Sequence, residues 1–219
     1  MISLRMIREN SPCASGWRKV REANKHRDID DMFPMSSILE SNDFSDTLWS
    51  ARCIENQKKL FANFAWWCAN KTLTYTRDKC FSDCLVVVKK YIDGNATREE
   101  LKTVISFTRK AADTIYAAHS RSVYSHVNNA AIHANDSVVH AADAVYSSDD
   151  DDDANAVYYD SYIDYVDLAA DAADTSSIVA YYSSCALNSA ANVFNDSSGV
   201  RKEQEEKLKQ IIDAGVWLD

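Results

Sequence analysis

Between Ser122 and Val200, 79 residues carry thirteen Asp and not one Lys or Arg. Carboxylates bind cations, move protons or meet a basic partner, and their spacing decides which of these is open. Asp149, Asp150, Asp151, Asp152 and Asp153 are consecutive, and Asp160, Asp164, Asp167, Asp171 and Asp174 then step by 4, 3, 4 and 3. On an α-helix the second set forms one ridge about 21 Å long, opposite a side bearing Tyr158, Tyr162, Tyr165, Val166, Ala169 and Ala173. Asp149, Asp151, Asp153 and Asp160 fall at positions 1, 3, 5 and 12 of a calcium loop, but Ala154 stands where that loop requires Gly and its final Glu is missing. Calcium is therefore not expected. A ridge facing water also lacks the cleft that drives two carboxyl pKa values apart, so acid–base catalysis is not expected either.

His119, His126, His133 and His140 repeat every seven residues. Successive members stand about 10 Å apart along a helix, too far for two of them to share one metal ion. They read as residues at a helix edge that touch a neighbouring helix, with pH sensing or contact with a partner's acids as the lesser use. Six Cys include no CxxC pair, and Cys80 and Cys84 at i, i+4 read as buried reduced thiols. No HExxH, phosphate-cradling Gly loop, GxSxG elbow or adjacent Cys–His pair occurs. The expectation is a chain without catalysis, cofactor or metal.

The net charge of −9 is concentrated: residues 1–121 hold 20 basic against 15 acidic groups, and the tail from Arg201 holds 4 against 5. Four neighbouring like-charge pairs along the ridge cost roughly 1 to 2 kcal/mol, so a sequence shaped by stability alone would intersperse Lys. Such a field implies an electropositive partner, a basic protein surface, and argues against direct binding of nucleic acid. Carboxylates about 5 to 6 Å apart match the spacing of DNA phosphates only loosely, so DNA mimicry stays open.

These groups need a scaffold, and the pattern predicts an all-α one. With 219 residues and 46% apolar content the chain can bury a core. Its four Gly and two Pro all lie outside Thr103–Asp196, which predicts long helices there. Residues 1–96 read as a compact group of short helices, with segments at Ser36–Glu40, Ser45–Ile54 (capped by Ser45), Lys59–Leu73 and Phe81–Asp93, the last ended by Gly94. Residues 97–219 read as long Ala-rich amphipathic helices packed as a bundle or superhelical array, continuous with the first part. Thr97-Arg98-Glu99-Glu100 fits a capping box and opens a helical stretch that extends to about Tyr146, near fifty residues if unbroken, with a break within it equally compatible with the pattern. On it Tyr116, Val123 and Ala130, beside Ala117, Tyr124, Ala131, Val138 and Val145, form a small-residue face suited to close helix packing, whose alternative use is a homodimer. A helix from about Ser177 to Phe194, a turn at Asp196–Gly199 and a helix from Arg201 to Leu218 complete the inventory. Met1–Asn10 has no apolar core of a signal peptide and no eighteen apolar residues are contiguous, so neither export nor a membrane is expected.

The first hundred residues resemble the family of immunity proteins found in bacterial and phage genomes. The matching stretches are Arg8-Glu9-Asn10-Ser11-Pro12-Cys13 with Gly16-Trp17, Ile38-Leu39-Glu40-Ser41-Asn42, Asp46-Thr47-Leu48-Trp49, Phe64-Ala65-Trp66-Trp67-Cys68-Ala69 and Tyr91-Ile92-Asp93-Gly94-Asn95-Ala96-Thr97-Arg98-Glu99-Glu100-Leu101. The resemblance implies an all-helical protein of the bacterial or phage-infected cytoplasm that neutralises a toxin or other effector without chemistry of its own. The family's later half carries regular Arg and Trp, whereas this chain has Asp, Tyr, Asn and His there, which points to a phage inhibitor of host defence with an acidic binding surface.

Overall fold

The computed structural model describes residues 1–54, 58–76, 78–119, 126–147 and 198–217, and these fold as helices with no strand among them. The chain opens with α1 (Leu4–Glu9), capped by the Ser3 hydroxyl and burying Leu4 and Ile7. A single antiparallel bridge then joins Ile2 to Phe33 through two backbone hydrogen bonds of 2.9 and 2.8 Å. Pairing at that point seats Ile2 and Phe33, both fully buried, against the helices. α2 (Ala14–Ala23) is capped by Cys13, whose sulfur accepts from the Gly16 N–H, and it turns Gly16 and Val20 inward.

α3 (Ser36–Ser41) matches its expected position, whereas α4 (Phe44–Ser50) is capped by Asp43 and not by Ser45. A carboxylate accepts the orphan N–H of Asp46 at 2.8 Å and also suits the positive end of the helix. α5 (Lys58–Thr72) carries the predicted apolar stripe, and Phe61, Phe64, Ala65, Cys68 and Ala69 are almost wholly buried. Phe64 anchors an aromatic group, stacked on Trp67 at 6.1 Å and tilted against Phe44 at 6.2 Å.

α6 (Lys79–Ile92) starts two residues before its expected first position because Asp78 caps it. It ends as the sequence indicates. Gly94 adopts φ +78°, its N–H bonds the Tyr91 carbonyl and the Asn95 N–H bonds that of Lys90, which together close a Schellman motif. The Thr97–Glu100 capping box also forms, with the Thr97 N–H donating to Glu100 at 2.7 Å and the Glu100 N–H donating to the Thr97 hydroxyl at 3.2 Å.

The helix that follows is not continuous to Tyr146. α7 (Arg98–His119) and α8 (His126–Ser147) lie side by side, and Arg109 of one bonds Asp143 of the other at 2.7 Å. In an unbroken helix those residues would be about 50 Å apart. α7 and α8 are thus two separate helices packed on each other, and the sequence between His119 and His126 contains neither Gly nor Pro. That packing also buries Ala131, Ala134, Val138, Ala141, Ala142 and Val145 of α8, which extended helix would leave wet. The last described helix, α9 (Ser198–Ala214), begins inside the expected Asp196–Gly199 turn and stops at Gly215, φ +68°.

One hydrophobic cluster joins Ile2 and Leu4 near the start, α5 and α6, Val138 to Val145 of α8, and Leu208 and Ile211 of α9. α8 is packed against α5, α6 and α7, and α9 returns to α3 and α5, where Lys71 pairs with Glu203 and Lys209 with Glu40. Among the described residues no helix is long and apolar enough to cross a membrane.

Candidate functional site

All ten carboxylates expected to meet a partner, Asp149 to Asp153 together with Asp160, Asp164, Asp167, Asp171 and Asp174, lie outside the described residues. The histidine line is divided between the two helices. His119 ends α7, whereas His126, His133 and His140 share α8. The small-residue face is divided with it. Its α8 part, Ala131, Val138 and Val145, is buried within this chain, and Tyr116 on α7 is 49% exposed. The described α8 part of that face is therefore spent on packing within this chain.

The structure brings together a charged group that the sequence analysis passed over. Asp143 is 5% exposed, and one Arg109 nitrogen donates to both its oxygens at 2.7 Å. Burial pushes the Asp143 carboxyl up to about 6, while the Arg109 charge and hydrogen bonds pull it back. Asp136, one α8 heptad earlier, is raised to about 7 by burial and by the facing Asp113 charge of α7. His140 is pushed down to about 4, first by burial and then by Arg109, and burial also lowers His133. Both are half-buried and neutral at pH 7. Neutral imidazoles do not serve a partner's carboxylates as cations, so the edge-packing reading suits them better than acid contact.

The signal for this cluster was present. His133 with Asp136 and His140 with Asp143 repeat the same i, i+3 pair at a seven-residue step, and Arg109 with Asp113 make an i, i+4 pair that faces it. Counting all thirteen Asp as one solvated population hid the two that go inside.

Chemically the cluster holds helices together. Cys84 of α6 lies next to it, and burial raises its thiol to about 11 despite a hydrogen bond to Thr108. Burial also raises Cys68, and burial together with Asp78 raises Cys80. These sulfurs stay protonated and are poor nucleophiles and poor metal ligands. Among the described residues no three His, Cys, Asp or Glu side chains are placed to share a metal ion. Elsewhere, a groove of about 350 Å³ lies between α5 and α6, lined by Trp66, Leu73, Leu85 and Val86 with Lys89 and Lys90 at one end. Lys89 is already engaged, bonded to Asp93 at 2.7 Å and seated over the Trp66 ring.

Comparison with protein-family models, with curated proteins and with solved structures finds no match for this chain.

Proposed function

We propose that the chain is a non-enzymatic inhibitor whose acidic stretch occludes a basic surface of a toxin, nuclease or defence effector. The observation that carries this reading is the separation of charge along the sequence. Residues 148–197 hold eleven Asp and no cation, whereas the described residues hold 22 basic and 20 acidic groups and come close to neutrality. Fourteen of those cations are already engaged within the described fold, by carboxylates such as Asp30, Asp93 and Asp143 or by aromatic rings. That engagement leaves fewer scaffold cations to offset the later stretch, and a complementary basic partner would associate fast and with strong dependence on salt.

The resemblance of the first hundred residues to immunity proteins agrees with this reading, and a bacterial or phage-infected cytoplasm is where such an inhibitor would act. The test is capture from host lysate by the immobilised chain at low and at high ionic strength. A retained basic protein that is released by salt supports the proposal. Changing Asp160, Asp164, Asp167 and Asp171 together to Asn should abolish that capture, and undiminished capture by the variant would remove these carboxylates from the account.

A further inference from the structure

Two packed helices, α5 and α6, leave a groove between them. Its volume, about 350 Å³, falls within the range of small-molecule sites, and it has apolar walls: Trp66 and Leu73 from α5, Leu85 and Val86 from α6. Trp66 is the largest of these side chains and the one able to swing in and fill the space. It is held at two points. Its indole N–H donates to the Leu85 carbonyl at 3.0 Å, and the Lys89 ammonium sits 5.6 Å from the centre of its ring. A ring fixed in this way keeps the groove open before a ligand arrives. Val86 is 55% exposed, an apolar group that a bound molecule would cover.

The charges in the groove do not balance. Lys89, Lys90 and Asp93 all line it. Lys89 and Asp93 bond each other at 2.7 Å and cancel. Lys90 is exposed, and among the described residues no carboxylate lies within ion-pair distance of it, Glu100 feeling its charge only across a longer gap. It stands one turn past Val86, about 6 Å further along α6, so a positive charge marks one end of an apolar trough. That cation matches a single negative charge. A second charge on the ligand would find no second open cation in the groove and would meet Asp93 instead.

We propose that this groove binds a small amphipathic carboxylate, with its apolar body against Trp66, Leu73, Leu85 and Val86 and its carboxylate at Lys90. The site depends neither on the acidic stretch nor on the inhibitor reading. Because the whole chain carries −9, repulsion at a distance opposes the approach of an anion, and the contact with Lys90 acts at short range.

The test is calorimetric titration of the full chain with naphthoate, with its neutral amide and with naphthyl phosphate, three probes that share one apolar body. The expected result is saturable binding of naphthoate with a dissociation constant below about 1 mM, and binding of the amide about fivefold weaker. K90A should weaken naphthoate to the level of the amide and leave the amide unchanged, whereas K90R should restore the preference. V86S should weaken naphthoate and the amide alike. These variants change exposed side chains, so their thermal melts should superimpose on that of the wild type. A naphthoate dissociation constant above about 1 mM, equal affinity for naphthoate and the amide, tighter binding of the phosphate, a preference that survives in K90A, or unchanged affinities in V86S would each overturn the proposal.

Discussion

α5 and α8 pack against each other at the centre of the fold and solve the same problem with different materials. α5 fills its side of the contact with Phe61, Phe64 and Cys68, large or polarisable groups. α8 uses Ala134, Val138, Ala141 and Ala142, small groups that let the backbones approach, and it also buries a carboxylate. The apolar helix needs only volume. The mixed helix needs volume and a partner for Asp143, which Arg109 supplies. A large apolar contact is thus tolerant of where its neighbours lie, whereas a buried ion pair fixes α7 against α8 in one register.

The largest expected effect lies on the apolar side. Phe64→Ala removes a ring that is fully buried and touches both Phe44 and Trp67, and should cost about 3 to 5 kcal/mol in urea denaturation. Arg109→Ala should come next, at about 2 to 3 kcal/mol, because it strands the Asp143 carboxylate while the exposed part of the Arg109 side chain moderates the loss. The two sites differ in rescue. Arg109→Leu combined with Asp143→Leu should recover most of the lost stability, since no charge is then left without a partner, whereas no single added change replaces the Phe64 ring. A double variant as unstable as Arg109→Ala alone would show that packing, and not charge, governs the α7–α8 contact.

Titration sharpens the same contrast, because α5 has no carboxylate to match Asp136. The Asp136 carboxyl, normally 3.8, is raised to about 7, so its destabilising effect is absent below pH 4 and grows until pH 7. The His140 imidazole, normally 6.5, is lowered to about 4, so its destabilising effect is absent above pH 6.5 and grows as pH falls to 4. Asp143, raised to about 6, adds a destabilising effect that grows from pH 4 to 6, so the two carboxyls oppose His140 between pH 4 and 6.5, and above that range Asp136 dominates the change. Thermal melts should therefore show stability declining as pH rises from 6.5 through 7 and levelling off by pH 8. Asp136→Asn should abolish that decline and gain on the order of 2 kcal/mol at pH 8.

Much of this scaffold was legible in the sequence, and what escaped did so for definable reasons. The capping box at Thr97 and the Gly94 stop are local devices, complete within four or five residues, and they formed as read. The α5 stripe repeats a helical period long enough to be unambiguous. The position of the break between α7 and α8 was not legible because no Gly or Pro marks it, and what favours the packing is burial of Ala131 to Val145 against helices distant in sequence. The Arg109–Asp143 pair depends on how α7 packs on α8, so the repeated His–Asp spacing on α8 could mark the cluster but not name the cation that meets it. α1 was overlooked because its apolar face is two residues, Leu4 and Ile7, within a charged segment. Of the expected partner-contacting groups, only His133 and His140 have side chains within the described residues, and both are half-buried.

A smaller effect separates the cysteines in the same way as the helices. Cys13 is exposed, and its thiol is lowered by hydrogen bonds from Ser15 and the Gly16 N–H, while Cys68, Cys80 and Cys84 are buried and raised. A colorimetric thiol assay on native protein should lose one fast-reacting equivalent in Cys13→Ser, and Cys84→Ser should leave the fast phase unchanged.

The central claim is that the aspartates of residues 148–197 meet a basic partner. It is tested most directly by measuring the affinity of the captured partner against salt concentration, for the wild type and for the variant carrying Asn at 160, 164, 167 and 171. The account predicts a steep fall in wild-type affinity with salt and a weak, nearly salt-independent interaction in the variant. Equal affinity and equal salt dependence in the two proteins would contradict it.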